Sequence, residues 1–293
     1  DDLTAYRLLH GYAEGRPGLT IDRYGDTALI AHKVDIADEL EAIVAALRQC
    51  HPYASVIAKA HRYFNWNSTA LSVTALHGEL PTAPLVVIDN GLRFATTPHA
   101  NELTGLFLDA RAARAWIREN SMDRRVLNLF AYTGSLGVAA AAGGARSVVH
   151  VDSKKNPLQV ARENHRLNDL AVDERGFLCG DVYRHLPRAS KSGAQFDGIV
   201  LDPPPRVPER QRRRNPDGQD YAALVRLVIP LLAPRAWLLC FFHRFDRTRD
   251  AFEREVIEAS DHTLRIEWRG TSGPDFPEND PERKLRLTAF VRS

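Results

Sequence analysis

Three aspartates each follow a short apolar segment that has the composition of a buried β-strand. The segments are Ser147–Val151, Phe177–Cys179 and Phe196–Leu201, and the aspartates are Asp152, Asp181 and Asp202. Parallel strands bind ligands at their carboxyl ends, so acids there are candidates to hold a ribose, an adenine amino group and a reacting base, in that order. An aspartate in this position can instead cap the next helix, and that alternative stays open for each of the three.

The turn before Asp152 is built from small residues. An apolar strand, Val126–Phe130, leads into the turn at residues 131–137, and an alanine-rich helix follows over Val138–Ala142. Small turn residues admit a ligand close to the backbone, and the acid accepts hydrogen bonds from ribose hydroxyls, so this unit is typical of nucleoside binding. An ordinary strand-to-helix turn is the alternative interpretation.

The spacing of the glycines narrows the choice of ligand. Only Gly134 and Gly137 lie in the turn, and the first glycine pair of G-x-G-x-x-G, which surrounds a pyrophosphate, is missing. A ligand with a ribose but no pyrophosphate fits better. The turn therefore favours S-adenosylmethionine (SAM) over a nicotinamide dinucleotide.

The segment after the third aspartate reads Asp202-Pro203-Pro204-Pro205. Proline removes amide donors from the backbone and leaves its carbonyl groups as acceptors. A rigid rim of acceptors beside a carboxylate suits the amino group of a planar base, which makes Asp202, Pro203 and Pro204 the predicted catalytic residues. A stiff loop with no ligand is the alternative.

A group of arginines follows this rim, at Arg206, Arg210, Arg212, Arg213 and Arg214. Arginine binds phosphate through two parallel hydrogen bonds, so the group is predicted to contact RNA phosphates beside the cleft. The net charge of the whole chain is only +2, so a nucleic-acid surface has to be a local patch of this kind. A solvated loop would give the same sequence.

Strands and helices alternate from Val126 onward, which predicts an α/β domain with a sheet covered on both faces. Seven strands are expected, mostly parallel, and the last two pair as an antiparallel edge because no helical pattern separates them. Residues 1–95 contain hairpin signals and one helical stripe, and are predicted to form a small α+β domain, a possible RNA-substrate domain. The second domain is predicted over 96–293.

The bulk composition excludes several classes of protein. No run of about 18 apolar residues exists, so no membrane span is expected. The first residues lack the basic and apolar regions of a signal peptide. Cys50, Cys179 and Cys240 are few and widely spaced, which indicates a reducing cytoplasm and no metal site. The oligomeric state is left open.

Several segments together resemble a known family. The motifs are Thr104–Arg114, Val126–Gly137, Asp152, Cys179–Val182, Leu201–Pro204 and Thr271–Pro277, with Arg7–Asp26 in the first domain. They are similar to class I SAM-dependent methyltransferases that act on 23S ribosomal RNA. The nearest groups methylate cytosine C5 or guanine N7. The resemblance implies a Rossmann-like methyltransferase fold, SAM as cofactor and RNA as partner.

The resemblance also implies a role for each matching residue. Asn128, Phe130, Tyr132, Thr133 and Gly134 would shape the methionine end of the SAM pocket. Asp109 and Arg111 would help to close it. Asp152 would bind the ribose and Asp181 the adenine amino group, and Asp202-Pro203-Pro204 would face the target base.

The sequence departs from that family in three places. The family carries an N-terminal PUA domain, and no counterpart precedes Asp1. The C5 enzymes have a nucleophilic cysteine just after the fifth strand, where this chain has His243, with Cys240 three residues earlier. Phe276 stands where the family tends to have histidine.

These departures bear on the chemistry, because attack at cytosine C6 requires a thiolate and histidine is a poor substitute. Methylation of a nitrogen, or an RNA- or ribosome-binding protein that has lost activity, is favoured over C5 chemistry. A nicotinamide-dependent oxidoreductase is the remaining rival. Strand alternation predicts that Cys240 points away from the base into the core.

Overall fold

The computed structural model describes residues 2–65, 68–100, 103–204, 221–244 and 246–293, of which 61–65 and 68–71 are described by their backbone alone. The chain divides into two compact units. Unit 1 comprises Asp1–Arg111 and Gly273–Pro281, and unit 2 comprises Ala112–Ser272 and Glu282–Ser293. The division falls after Arg111, whereas the sequence places the boundary between 95 and 96. The excursion of 273–281 into unit 1 has no signal in the sequence.

Unit 1 is built around a five-stranded sheet in the order β1-β2-β3-β4-β5. The strands are Ala5–Leu9, Leu19–Tyr24, Thr27–His32, Ser55–Asn65 and Ser68–His77. Helix α1, Leu40–Cys50, connects the parallel pair β3 and β4, while the other neighbours are antiparallel. Strands β6 (Leu85–Asp89) and β7 (Leu92–Thr96) form a separate hairpin. The hairpin signals expected within residues 1–95 correspond to the β2–β3 turn at Gly25 and the β6–β7 turn at Gly91.

Salt bridges in unit 1 hold the segment 273–281 in place. The Arg111 guanidinium donates to Asp89 Oδ1 at 2.8 Å and to Asp275 Oδ1 at 3.1 Å. The backbone amide of Arg7 donates to Asp275 Oδ2 at 3.3 Å, and its guanidinium lies 4.6 Å from the centre of the Phe276 ring. Phe276 is thus packed by a cation–π contact at the position where the family tends to have histidine.

Unit 2 contains the seven-stranded, mostly parallel sheet that the sequence predicts, in the order β10-β9-β8-β11-β12-β14-β13. The strands are β8 Arg125–Leu129, β9 Ser147–Asp152, β10 Phe177–Cys179, β11 Phe196–Leu201, β12 Leu232–Phe242, β13 Leu264–Thr271 and β14 Arg286–Arg292. The first five are parallel, and β14 is antiparallel to both β12 and β13. The predicted antiparallel edge is confirmed. The place of β14 between β12 and β13 could not be read from the sequence.

Helices cover both faces of the unit 2 sheet. The described ones are α2 Arg111–Glu119, α3 Ser135–Ala142, α4 Lys155–Leu167, α5 Val182–Lys191, α6 Tyr221–Val228 and α7 Arg249–Ala259. Trp116 of α2 contacts Trp237 of β12 edge-on and stacks on Trp268 of β13, with ring centres 5.3 and 5.6 Å apart. Gly198 of β11 leaves the space for Trp237, since a Cβ there would lie 2.2 Å from the indole. This packing seats α2 on the sheet.

Candidate active site

The carboxyl ends of β8, β9, β11 and β12 gather most of the predicted site residues within unit 2. These strands are neighbours in one parallel sheet, so their ends lie along the same edge. The residues on this edge are Asn128, Phe130, Tyr132, Thr133, Gly134, Asp152, Asp202, Pro203, Pro204 and His243. Asp181 follows β10 on the same sheet.

The turn after β8 has an unusual backbone. Phe130, Tyr132 and Gly134 have φ values of +57°, +49° and +77°. Positive φ is strained for bulky residues such as phenylalanine and tyrosine, and such strain persists only when surrounding contacts enforce it. One enforcing contact is the hydrogen bond from the Tyr132 amide to Asp152 Oδ2, at 2.8 Å.

Asp152 binds the backbone on both sides. Besides Tyr132, the amide of Lys154 donates to its Oδ1 at 2.8 Å. A carboxylate offers about four lone-pair sites, so two amides leave acceptor capacity for ribose hydroxyls. Asp152, which the sequence predicts to bind the ribose, therefore also fixes the conformation of the turn. Nothing in the sequence indicated this second role.

The turn glycines make room for a histidine of the chain itself. A Cβ on Gly137 would lie 2.2 Å from His150 Cε1, and one on Gly134 would lie 2.6 Å from Ala161 Cβ and 3.2 Å from His150 Cε1. The space beside Gly137 is thus filled by a buried imidazole of the chain, which is why a residue without a Cβ fits there. The strand–turn–helix unit itself is as predicted.

His150 pairs with a second buried histidine, His165 of α4. Their Nε2 atoms are 3.0 Å apart, and both rings pack against Phe177. Burial lowers the pKa of His150 to about 3 and that of His165 to about 4. Both imidazoles are therefore neutral at pH 7, with one Nε2 donating to the other. An isolated histidine in an apolar strand gives no sequence signal for such a pair.

Asn128 on β8 reaches the same cluster. Its side chain is fully buried, and its Nδ2 lies 3.4 Å from His150 Nδ1. Its Oδ1 has no hydrogen-bond partner among the described residues. A buried acceptor without a partner is costly, so it fits a site completed by a donor such as the ammonium or a hydroxyl of SAM.

Thr133 and Asp181 each form a hydrogen bond that fixes the backbone along this edge of the sheet. The carbonyl of Thr133 accepts from Asn164 Nδ2 of α4 at 2.9 Å, which ties the turn to that helix. Asp181 is the N-cap of α5 and accepts from the Tyr183 amide at 2.9 Å. Asp181 is thus a helix cap, which is one of the two interpretations of the strand-end acids. The Tyr183 ring contacts Phe130 edge-on.

Asp202 and His243 form a side-chain pair at the ends of β11 and β12. His243 Nε2 lies 2.6 Å from Asp202 Oδ1, and the two side chains are 28% and 20% exposed. Pro203 and Pro204 follow Asp202 without regular secondary structure, and Pro204 is exposed. Sequence alignment had put His243 at the position of the C5 nucleophile. The pairing with Asp202 became visible only when the two strand ends were brought together.

Cys240 points into the core, as strand alternation predicts. It is fully buried in the apolar cluster that includes Leu201, Phe242 and Phe252. Burial raises the pKa of its thiol to about 12, and the thiol faces the Tyr221 hydroxyl. A thiol in this position is protonated at neutral pH and cannot attack a base.

The remaining predicted residues belong to unit 1 or fall outside the described residues. Asp109 and Arg111 belong to unit 1, where Arg111 holds Asp89 and Asp275 and also donates to the Ala5 carbonyl at 3.0 Å. The predicted RNA-binding arginines, Arg206, Arg210, Arg212, Arg213 and Arg214, lie outside the described residues. Among the described side chains, no group of three or more His, Cys, Asp or Glu residues is placed to hold a metal ion. No described helix has the length and apolar character needed to cross a membrane.

Comparison with known proteins identifies relatives that match in sequence. A family model described as S-adenosylmethionine-dependent methyltransferase matches residues 7–291. Ribosomal RNA large subunit methyltransferase I of Salmonella arizonae is 33% identical over 263 residues. The match covers 89% of this chain and 65% of that protein, so the chain spans less than two thirds of its relative's length.

Solved structures agree with the fold. A methyltransferase crystallised with S-adenosylhomocysteine has a TM-score of 0.84 and 25% identity, covering 99% of this chain and 75% of that one. A tRNA methyltransferase from M. jannaschii has a TM-score of 0.62 at 13% identity, covering 96% and 78%, which shows the shared fold alone. The family match over residues 7–291 excludes the nicotinamide-dependent rival, and the chain belongs to the S-adenosylmethionine-dependent methyltransferases.

Proposed function

We propose that this protein transfers a methyl group from SAM to a base of RNA, and that the RNA is the 23S RNA of the large ribosomal subunit. The observation that carries the proposal is Asp202-Pro203-Pro204 at the carboxyl end of β11, beside the strained turn of β8. The carboxylate is partly exposed, and the two prolines that follow it carry carbonyl acceptors without amide donors. The name of the Salmonella arizonae relative supports ribosomal RNA as the substrate class.

Each residue of the edge has a separate task in this proposal. SAM supplies an electrophilic methyl group on its sulfonium. The turn and Asn128 Oδ1 hold the methionine end, Asp152 takes the ribose hydroxyls, and Asp181 takes the adenine amino group. Asp202 and the carbonyls of Pro203 and Pro204 accept hydrogen bonds from the target base. Catalysis is then largely positioning, which holds the acceptor atom in line with the methyl group.

Two parts of the proposal rest on the family resemblance. Asp109 and Arg111 are proposed to help close the SAM pocket, and Arg206, Arg210, Arg212, Arg213 and Arg214 are proposed to bind RNA phosphates. Replacing Arg212, Arg213 and Arg214 with glutamine should flatten the salt dependence of RNA binding by nearly one unit of slope per lost phosphate contact. An unchanged slope in filter-binding titrations would remove these arginines from the interface.

We also propose a compartment for the chain, on the basis of its thiols. Cys50 and Cys179 are exposed and free, and Cys240 is buried and free. Exposed free thiols persist in a reducing compartment, so we place the protein in the cytoplasm.

The test is methyl transfer from radiolabelled SAM to an unmodified 23S RNA transcript and, in parallel, to bulk tRNA. We expect label in the 23S RNA and little in the tRNA. A protein that binds SAM in calorimetry but labels neither RNA, nor intact large subunits stripped of modification, would be a degenerate binding protein. Label in tRNA alone would mean that the substrate is tRNA and not 23S RNA.

A further inference from the structure

The pair formed by Asp202 and His243 joins two neighbouring strand ends directly. Leu201 of β11 is in register with Cys240 of β12, so Asp202 and His243 leave the sheet on the same edge. The 2.6 Å distance from Nε2 to Oδ1 is that of a strong, charge-assisted hydrogen bond. A carboxylate can only accept, so Nε2 carries the proton and donates it.

An arginine of β14 holds the backbone that follows β12, next to His243. Arg286 of β14 is buried and donates to the carbonyls of Arg244 and Arg247, the latter at 2.7 Å. Its guanidinium lies 4.3 Å from the centre of the Phe242 ring. The His243 ring also stacks on Phe241, with ring centres 6.1 Å apart. These contacts restrict the position from which His243 reaches Asp202.

Among the described residues at the ends of β11 and β12, Asp202 is a proton acceptor and no thiol is exposed, since the exposed Cys179 lies at the end of β10 instead. Cys240 is buried on the core side of β12, whereas Asp202 and His243 are partly exposed. Methylation of a ring carbon needs a thiolate to add to the base first. Methylation of an N–H nitrogen needs a group that holds the N–H and takes its proton, which a carboxylate does.

We propose that Asp202 accepts the proton of an N–H nitrogen on the target base, and that His243 is the positioning residue that holds Asp202 for this task. The inference rests on the proposed function and specifies its acceptor atom. The nitrogen lone pair forms the bond to the methyl carbon, and the electrons of the broken S–CH3 bond stay on sulfur. The N–H electron pair returns to nitrogen as its proton moves to Asp202. The product is an N-methylated base.

The alternative is a surface salt bridge without function. Both side chains keep contact with solvent, so removal of the pair is expected to leave the fold intact. Variants of the pair therefore report on the reaction rather than on folding.

The experiment combines product identity with a matched pair of variants. The 23S RNA transcript methylated by the unaltered protein is digested, and the nucleosides are identified by mass spectrometry against N-methyl and 5-methylcytidine standards. Single-turnover rates are then measured for Asp202→Asn, His243→Gln and His243→Phe, with SAM affinity measured by calorimetry for each.

We expect an N-methylated nucleoside. Asp202→Asn should lower the rate about 100- to 10,000-fold. His243→Phe keeps a ring but loses the donor and should lower the rate at least tenfold, while His243→Gln keeps a donor and should recover most of it. SAM affinity should change less than twofold in all three. A purely structural role for His243 would make Gln and Phe equally harmful.

Other outcomes separate the inference from the proposed function. 5-Methylcytidine in the digest, or equal rates for the Gln and Phe variants, would overturn the inference and leave RNA methylation standing. An N-methylated product in which the acceptor nitrogen bears no N–H, such as 7-methylguanosine, would also overturn it. Absence of label in any RNA would overturn both.

Discussion

The ends of β8 and β9 and the ends of β11 and β12 lie on one edge of the same sheet but are built differently. The first region, the turn of Phe130–Gly137 with Asp152, is tied to backbone amides and to the buried pair of His150 and His165. In the second region, Asp202 and His243 are partly exposed and hydrogen bonded to each other.

This contrast separates two uses of strand-end residues. In the first region the side chains shape the backbone, so substitutions there should cost stability as well as cofactor affinity. In the second region the two side chains bind each other rather than the backbone. Substitutions there should therefore lower the reaction rate and leave stability unchanged.

Acidification should destabilise the first region most. The unfolded chain protonates histidine near pH 6.5. The folded chain does so only near pH 3 for His150 and near pH 4 for His165, because both imidazoles are buried. Between these values the unfolded state binds more protons, so stability present above pH 6.5 is lost as the pH falls. Each buried imidazole should lower the free energy of unfolding by about 2 kcal/mol at pH 5, relative to its value well above pH 6.5.

Urea unfolding at pH 7 and at pH 5 measures this effect. His165→Gln should reduce the loss, whereas His262→Asn, at an exposed histidine with φ of +58°, should leave it unchanged. Equal pH dependence in the His165→Gln variant would mean that carboxylates elsewhere cause the acid sensitivity.

Gly137→Ala should destabilise the protein although helix propensity favours alanine by about 1 kcal/mol. Its Cβ would lie 2.2 Å from His150 Cε1, a rigid buried ring, so overpacking should cost about 3 kcal/mol. Gly180→Ala is the matched control, because a Cβ there meets nothing within 4 Å. Thermal unfolding of the two variants gives the comparison, and similar melting temperatures would mean that His150 can move.

Asp152 should show both costs at once. Asp152→Ala leaves the amides of Tyr132 and Lys154 without their acceptor, which should cost about 1–2 kcal/mol. The same variant should bind SAM about ten- to hundredfold more weakly in calorimetry. Asp152→Asn keeps one acceptor oxygen and should regain part of the stability but not the affinity. Unchanged SAM affinity in both variants would remove Asp152 from the cofactor site.

Cys240→Ser should have the smallest effect and should touch stability alone. A hydroxyl in this buried position should cost about 1 kcal/mol, with methyl transfer per folded molecule unchanged, because the thiol lies in the core. Cys179→Ser, at an exposed cysteine, is the control for stability. A covalent adduct between Cys240 and RNA containing 5-fluorocytosine would contradict the assignment.

The class of fold and most strand positions of unit 2 could be predicted from the amino-acid sequence alone. Apolar runs and their spacing predicted β10 and β11 to the residue, and β8 and β9 to within one residue at each end. The alternation predicted a parallel sheet, and the strand-end acids predicted where its ligands bind. These features are local, since a strand's period and the residue at its end are written in consecutive positions.

Which side chains contact each other could be read from the folded structure and not from the sequence. His150 and His165 are 15 positions apart, Asp202 and His243 are 41 apart, and 273–281 returns to a unit that otherwise ends at Arg111. No local pattern encodes these pairs, because they arise from strand order and helix placement. For the same reason the contact between Gly137 and the imidazole of the neighbouring strand could not be predicted from the sequence.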